Sequence, residues 1–174
     1  MNRTLALLLV VVLSHSAPLA QSVSEEYRVK AAYLYNFLKF VEWPAEAGSG
    51  PLAICVAGRN PFGNVLRDLV RGESVNGRSI EARVILEPDT GCHLIFVPEG
   101  SALRAYLRSA IGTPSLTVGE SDTFIEEGGI VSFYNERGNI RFEINPSAAE
   151  RAGIRVSARL LQLAKIADLR GLSR

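Results

Sequence analysis

Apolar and polar positions along residues 24–43, SEEYRVKAAYLYNFLKFVEW, alternate at helical spacing. Tyr33, Phe37, Phe40 and Val41 make one apolar face, Leu34 and Leu38 widen it, and Glu26, Lys30 and Lys39 are expected outside it. Ser24 suits an N-cap with two acids in the first turn, and Pro44 is expected to end the helix because it disfavours helical geometry at Trp43. Trp43 and Tyr35 lie off the stripe. Trp43 reads equally as core or as part of a ligand or partner surface, where aromatic side chains are enriched.

The next run, PLAICVAG at 51–58, is almost wholly apolar and fits a strand buried on both faces. Asn60 as N-cap and Pro61 at the first helical position predict a short helix through Val65, Leu66, Leu69 and Val70, stopped by Gly72. VNGR is a turn, and in SIEARVIL the residues Ile80, Ala82, Val84 and Leu86 share one face of a half-buried strand. HLIFVP and SLTVG read as core strands around a surface helix, SALRAYLRSAI. IVSFYNERGNIRFEIN predicts a hairpin turning at residues 136–138, with Ile140, Phe142 and Ile144 on one face and Arg141, Glu143 and Asn145 on the other. Asn145-Pro146 starts a helix, and Ser157 caps a last one with Leu160, Leu163, Ala164 and Ala167 at helical spacing. Strands alternating with helices predict an α/β fold: a layered single domain with a mostly parallel central sheet, an antiparallel hairpin at one edge and flanking helices.

The first residues follow a different rule. Arg3 and the unbroken apolar run at 5–13 have the form of a signal peptide, and the run is shorter than the roughly 20 residues that span a bilayer. Residues 1–22 are therefore expected to be a signal peptide and 23–174 the exported domain, cut after Ser22 or, alternatively, after Ala20. Removing residues 1–22 takes away Arg3 and no acid, leaving 18 basic against 18 acidic residues. That balance argues against a nucleic-acid partner.

Cys55 and Cys92 are the two cysteines, and export to an oxidising compartment predicts that they pair. Closing that loop would stabilise the fold by roughly 4 kcal/mol in the chain-entropy model. A Cys92/His93 nucleophile and base is the competing reading, opposed by the opposite directions of adjacent strand side chains. The stretch AGRNPFG lacks the glycines and lysine of a phosphate loop, and no G-x-S-x-G elbow or metal-ligand spacing occurs. No catalytic residue, cofactor or metal is expected.

KAAYLYNFLKFVEWP, LAICVAGRNPFG ahead of VNGR, CHLIFVP, PSLTVGES and IRFEIN followed by AAERAGIRVSARLLQLA occur in one order. In that order they resemble the successive blocks of the YfiR family of periplasmic proteins, across about residues 25–168. The resemblance implies a non-catalytic, disulfide-bonded periplasmic regulator that binds and inhibits the periplasmic sensor part of an inner-membrane diguanylate cyclase, lowering cyclic-di-GMP and biofilm formation. It places the family's first disulfide at Cys55 and Cys92; a second disulfide found in some members has no counterpart here. It also implies that Glu143 and Ala149, with Arg141 beside Glu143, lie on a partner-binding face, the alternative for Glu143 and Arg141 being a solvated hairpin face. Arg155 matches a basic position of a small-ligand pocket, but Ser157 and Glu42 stand where a His and an Arg are expected, which argues against a nucleotide there; Trp43 is a ligand-binding candidate on its aromatic character alone. Two further readings stay open: a small-ligand-binding module signalling through a sensor kinase or other membrane receptor, and an exported hydrolase using Ser or Cys with His93. A homodimer is a further possible partner through an exposed apolar patch.

Overall fold

The computed structural model describes residues 23–167, so the expected signal peptide lies outside the described residues. Helix α1, Glu25–Phe40, begins where expected, with Ser24 Oγ accepting from the Tyr27 amide. Its buried stripe runs through Lys30, Ala31, Leu34, Phe37 and Leu38, while Tyr33 and Phe40 are half-buried at its margin. Lys30 is thus on the inner face, contrary to the sequence expectation, because its charge meets carboxylates there. The helix also stops three residues before Trp43: Val41–Glu42, strand β1, pairs antiparallel with Arg155–Val156, and the Ser157 amide donates to the Phe40 carbonyl at 2.9 Å. Long-range pairing, rather than Pro44, ends it.

After a 3-10 turn at Ala45–Ala47 comes β2, Leu52–Ala57, with all six residues buried as a two-sided strand requires. Helix α2, Val65–Val70, starts four residues later than expected. Asn60 instead accepts from the Phe62 amide and donates to the Gly63 carbonyl, closing a turn, and Gly63 at φ +54° interrupts a helical path. Strands β3, Ser74–Val75, and β4, Arg78–Ile85, form a hairpin whose Asn76 and Gly77 both have positive φ, as an Asn-Gly type I′ turn demands. In β4 the expected inward face fails at its end: Val84 is 46% and Leu86 79% exposed, whereas Ile85 is buried on the opposite side. β3 pairs only with Arg78 and Ser79 at the start of β4, and towards its end Val84 lines an open cleft beside Leu66 and Arg67 of α2 instead of packing under it.

Strand β5, Leu94–Val97, helix α3, Leu103–Ala110, and strand β6, Leu116–Gly119, follow as expected. The hairpin β7–β8, Val131–Glu136 and Asn139–Ile144, leads into α4, Pro146–Arg151, whose N-cap Asn145 accepts from the Ala148 amide. Then come β9, Arg155–Val156, and α5, Ala158–Leu163, capped by Ser157. The last helix ends at Leu163 rather than continuing through Ala167. Lys165–Ile166, strand β10, adds to β8 instead, with the Ala167 amide donating to the Ile144 carbonyl at 2.8 Å, which satisfies backbone that the hairpin would leave open.

Among the described residues the order of the main sheet is β10-β8-β7-β6-β5-β2-β4-β3. β4, β2, β5, β6 and β7 run parallel, and β8 reverses. One face packs Leu34, Phe37, Phe62, Phe96, Phe142 and Leu160 between the sheet and α1, α2 and α5. The other buries Cys55, Ile95, Val97, Tyr106 and Phe124 beneath α3. Cys55 and Cys92 form the expected disulfide inside this second core, with Cα atoms 5.8 Å apart.

Candidate functional site

Pleating of β7 and β8 sends Phe133, Phe142 and Ile144 into the first core and turns Tyr134, Arg141 and Glu143 the other way. Register then places Tyr134 opposite Arg141 and Glu143 opposite Lys165. The Glu143 carboxylate meets the Lys165 ammonium at 3.2 Å, the ammonium stands 5.7 Å over the Tyr134 ring, and Arg141 reaches Glu136 at 3.6 Å. Two of the sequence-identified partner residues, Arg141 and Glu143, therefore share one polar face. Ala149 does not join them at the surface. It is 2% exposed in α4 and packs in the first core, where it supports the helix from behind. Tyr134, in the expected hairpin, and Lys165 also belong to the face; Lys165 was not legible, because β10 was expected to be helical.

Arg155 lies at the β1–β9 ladder, opposite Glu42 in register and exposed, with Trp43 next in the chain. The Trp43 ring is half-buried and meets the His93 ring edge-on at 6.0 Å, and its Nε1–H is buried without an acceptor among the described residues. Ser157 is committed to the cap of α5. The arrangement thus offers one cation, one indole donor and an opposing carboxylate.

Both ring nitrogens of His93 are engaged by backbone, and the Arg78 guanidinium also stands 2.7 Å from Nε2. Nδ1 accepts from the Ala53 amide at 3.2 Å, which fixes the proton on Nε2, and Nε2 donates to the Ala47 carbonyl at 3.0 Å. Burial, with the Arg78 and Arg83 charges behind it, pushes the pKa below its ordinary value. A ring held neutral with both nitrogens engaged is not placed to take a proton from a nucleophile. Cys92, bonded to Cys55, has no thiol to offer.

Sequence reading missed a buried ionic cluster. Lys30 is 4% exposed; its ammonium pairs with Glu26 one turn away and with Glu120, just beyond β6, at 2.5 Å. Glu120 also accepts from the Tyr27 hydroxyl at 3.0 Å and the Glu99 amide at 2.9 Å. Burial and the Glu120 carboxylate push the Tyr27 phenol up to about 12. The signal was present: Lys30 precedes Leu34 and Phe37 by four and seven positions, the spacing of the inner stripe.

A groove also runs between α3, residues 127–130 and α4, as adjoining cavities of about 240 and 400 Å³ that share Leu107, Ile111, Gly128 and Arg151. Among the described residues no three His, Cys, Asp or Glu side chains gather as metal ligands, and no helix is long and apolar enough to cross a membrane. A sequence-family profile described as YfiR/HmsC-like matches residues 27–165.

Proposed function

Because the chain belongs to the YfiR/HmsC-like family, we propose that it binds the periplasmic sensor part of an inner-membrane diguanylate cyclase and holds that enzyme inactive. Membership makes it a periplasmic regulator that works with a membrane protein partner. Inhibition of a cyclase, with lower cyclic-di-GMP and less biofilm, is the specific form of that role. Residues 1–22 would direct export and be removed. The single observation that carries the reading is the family match, which spans nearly all of the described chain. The engaged His93 and the bonded Cys92 are consistent with a binder rather than a hydrolase.

Affinity capture with the tagged mature chain from detergent-solubilised membranes, followed by mass spectrometry, tests the reading. Recovery of a diguanylate cyclase, together with higher cyclic-di-GMP after deletion of the gene, is the expected result. Unchanged cyclic-di-GMP in the deletion strain would remove its main support. The buried Trp43 donor, without an acceptor among the described residues, favours a second reading, a small-ligand module that signals through a sensor kinase or other receptor. That reading expects a small aromatic or anionic ligand to raise the melting temperature by mass action, and a Trp43→Phe variant to lose the shift.

A further inference from the structure

We propose that the groove between α3, residues 127–130 and α4 is the surface on which this chain captures an acidic, apolar peptide segment of its membrane partner. The inference rests on the reading of the chain as a binder of a membrane protein, and it assigns the binding to one face. The floor of the groove is apolar, formed by Leu107, Ile130 and Ala148, and Ile111 at its mouth is 79% exposed. Three guanidinium groups border it: Arg104, Arg108 and Arg151. Among the described residues only Arg104 has a carboxylate partner, Glu127 at 3.1 Å. Arg108 and Arg151 therefore stand beside apolar surface without an ion pair of their own, three guanidinium groups against the single carboxylate of Glu127 in the lining, in a chain whose exported portion carries equal numbers of acidic and basic residues.

Each feature narrows the occupant. The guanidinium fork matches carboxylates and makes paired, directional hydrogen bonds to them. A basic segment would meet like charge. A purely polar one would leave Ile111 and the floor wet. Ligand pockets enclose most of a small molecule's surface, whereas this groove is open along its side and continues from one cavity to the next. An extended segment that lays apolar side chains on Leu107 and Ile130 and sets carboxylates against Arg108 and Arg151 uses the whole length.

The probe is a fluorescein-labelled synthetic peptide in which Glu alternates with Leu, compared with peptides in which Lys replaces Glu or Ser replaces Leu. Fluorescence anisotropy with the folded exported chain should show the Glu/Leu peptide bound at least tenfold more tightly than either control. The Arg108→Glu, Arg151→Glu double variant, with both changes on exposed side chains and its fold checked by circular dichroism, should lose tenfold or more. No binding, equal binding of the Lys/Leu peptide, or an unaffected double variant overturns the proposal. Self-association of the native chain that the double variant abolishes would also overturn it, since a second copy would then fill the groove. Capture from membranes separates the two levels of inference. A membrane protein recovered equally by native chain and double variant removes the groove while sparing the function; recovery of nothing by the native chain removes the function, and the peptide titration still decides what the groove selects.

Discussion

Lys30 shows how one buried charge can be tolerated. Its ammonium is 4% exposed but has two carboxylates, and Glu120 in turn satisfies a phenol and a backbone amide, so every charge in the cluster has a hydrogen-bonded partner. Removing the cation alone strands Glu120. Lys30→Met should therefore lower the urea-unfolding free energy by about 3–5 kcal/mol, the range for breaking a buried pair. Lys30→Met with Glu120→Leu should lose clearly less than the sum of the two single changes. Additive losses in a double-mutant cycle would show that the two groups do not act as a unit.

His93 makes a different demand, on protons. Its folded-state pKa lies below the ordinary 6.5, so between those two values the unfolded chain binds more protons than the folded one. The stability it contributes is complete above about pH 6.5 and declines as pH falls below that value towards the folded pKa. His93→Asn, which keeps an acceptor for the Ala53 amide, should flatten urea-midpoint against pH in this window. An unchanged profile would place the acid sensitivity elsewhere. Tyr27 acts at the opposite end: with its phenol raised from 10.0 to about 12, its contribution is intact below pH 10 and lost as pH rises through 12.

At the scale of elements, the segment between β6 and β7 is held by one ring. Phe124 is fully buried, and its ring lies where a Cβ on Gly119 or Gly129 would come within 2.0 or 2.1 Å. The two glycines thus form a slot that admits the ring from both sides, and neither needs a positive φ for the purpose. Gly119→Ala should destabilise the fold by about 1–3 kcal/mol through overpacking. The same change in a Phe124→Ala background should be nearly free, measured by thermal or urea unfolding. Equal penalties in both backgrounds would mean that β6 itself, not the ring, rejects the methyl group.

Elements whose stabilising contacts are local were legible in the chain. β2 announced itself by an apolar run, Asn76-Gly77 by the chemistry of its turn, and the starts of α1, α4 and α5 by caps that the structure retains. Ends set by distant partners were not. Nothing near Val41 signals that Arg155 and Val156 will pair with it, and nothing near Leu163 signals that the edge of β8 needs Lys165 and Ile166. The same limit governed the candidate sites: the alternation that put Arg141 and Glu143 on one face could be read, whereas the Lys165 that covers Glu143 and the burial of Ala149 depend on tertiary packing.

In the whole molecule, β2 is central, with β4 on one side and β5, β6 and β7 on the other, so the strand order reverses between β2 and β5. Open α/β sheets place ligands beyond the carboxyl ends of strands at such a reversal. Here Glu120, just past β6, is tied to Tyr27 and Lys30 of α1 and accepts from the Glu99 amide just past β5, so the chain's own helix covers the carboxyl ends of β5 and β6 beside that reversal. Charged surface is left open on the flanks: the hairpin face with Glu143 and Arg141, and the arginine-bordered groove beside α3. The disulfide keeps the frame behind both flanks intact. Cys55 and Cys92 are 0% and 2% exposed inside the second core, so a reductant in solution cannot reach either sulfur until the layer under α3 opens. Reduction by dithiothreitol in native buffer should therefore be limited by opening of the fold, saturate as reductant is raised, and accelerate steeply with added urea. Once reduced, the chain should lose stability of about 4 kcal/mol, the chain-entropy value for a loop of this length. A rate that instead climbs in proportion to dithiothreitol, without dependence on urea, would mean that the second core breathes on its own, and that α3, the wall of the groove, is not rigidly seated.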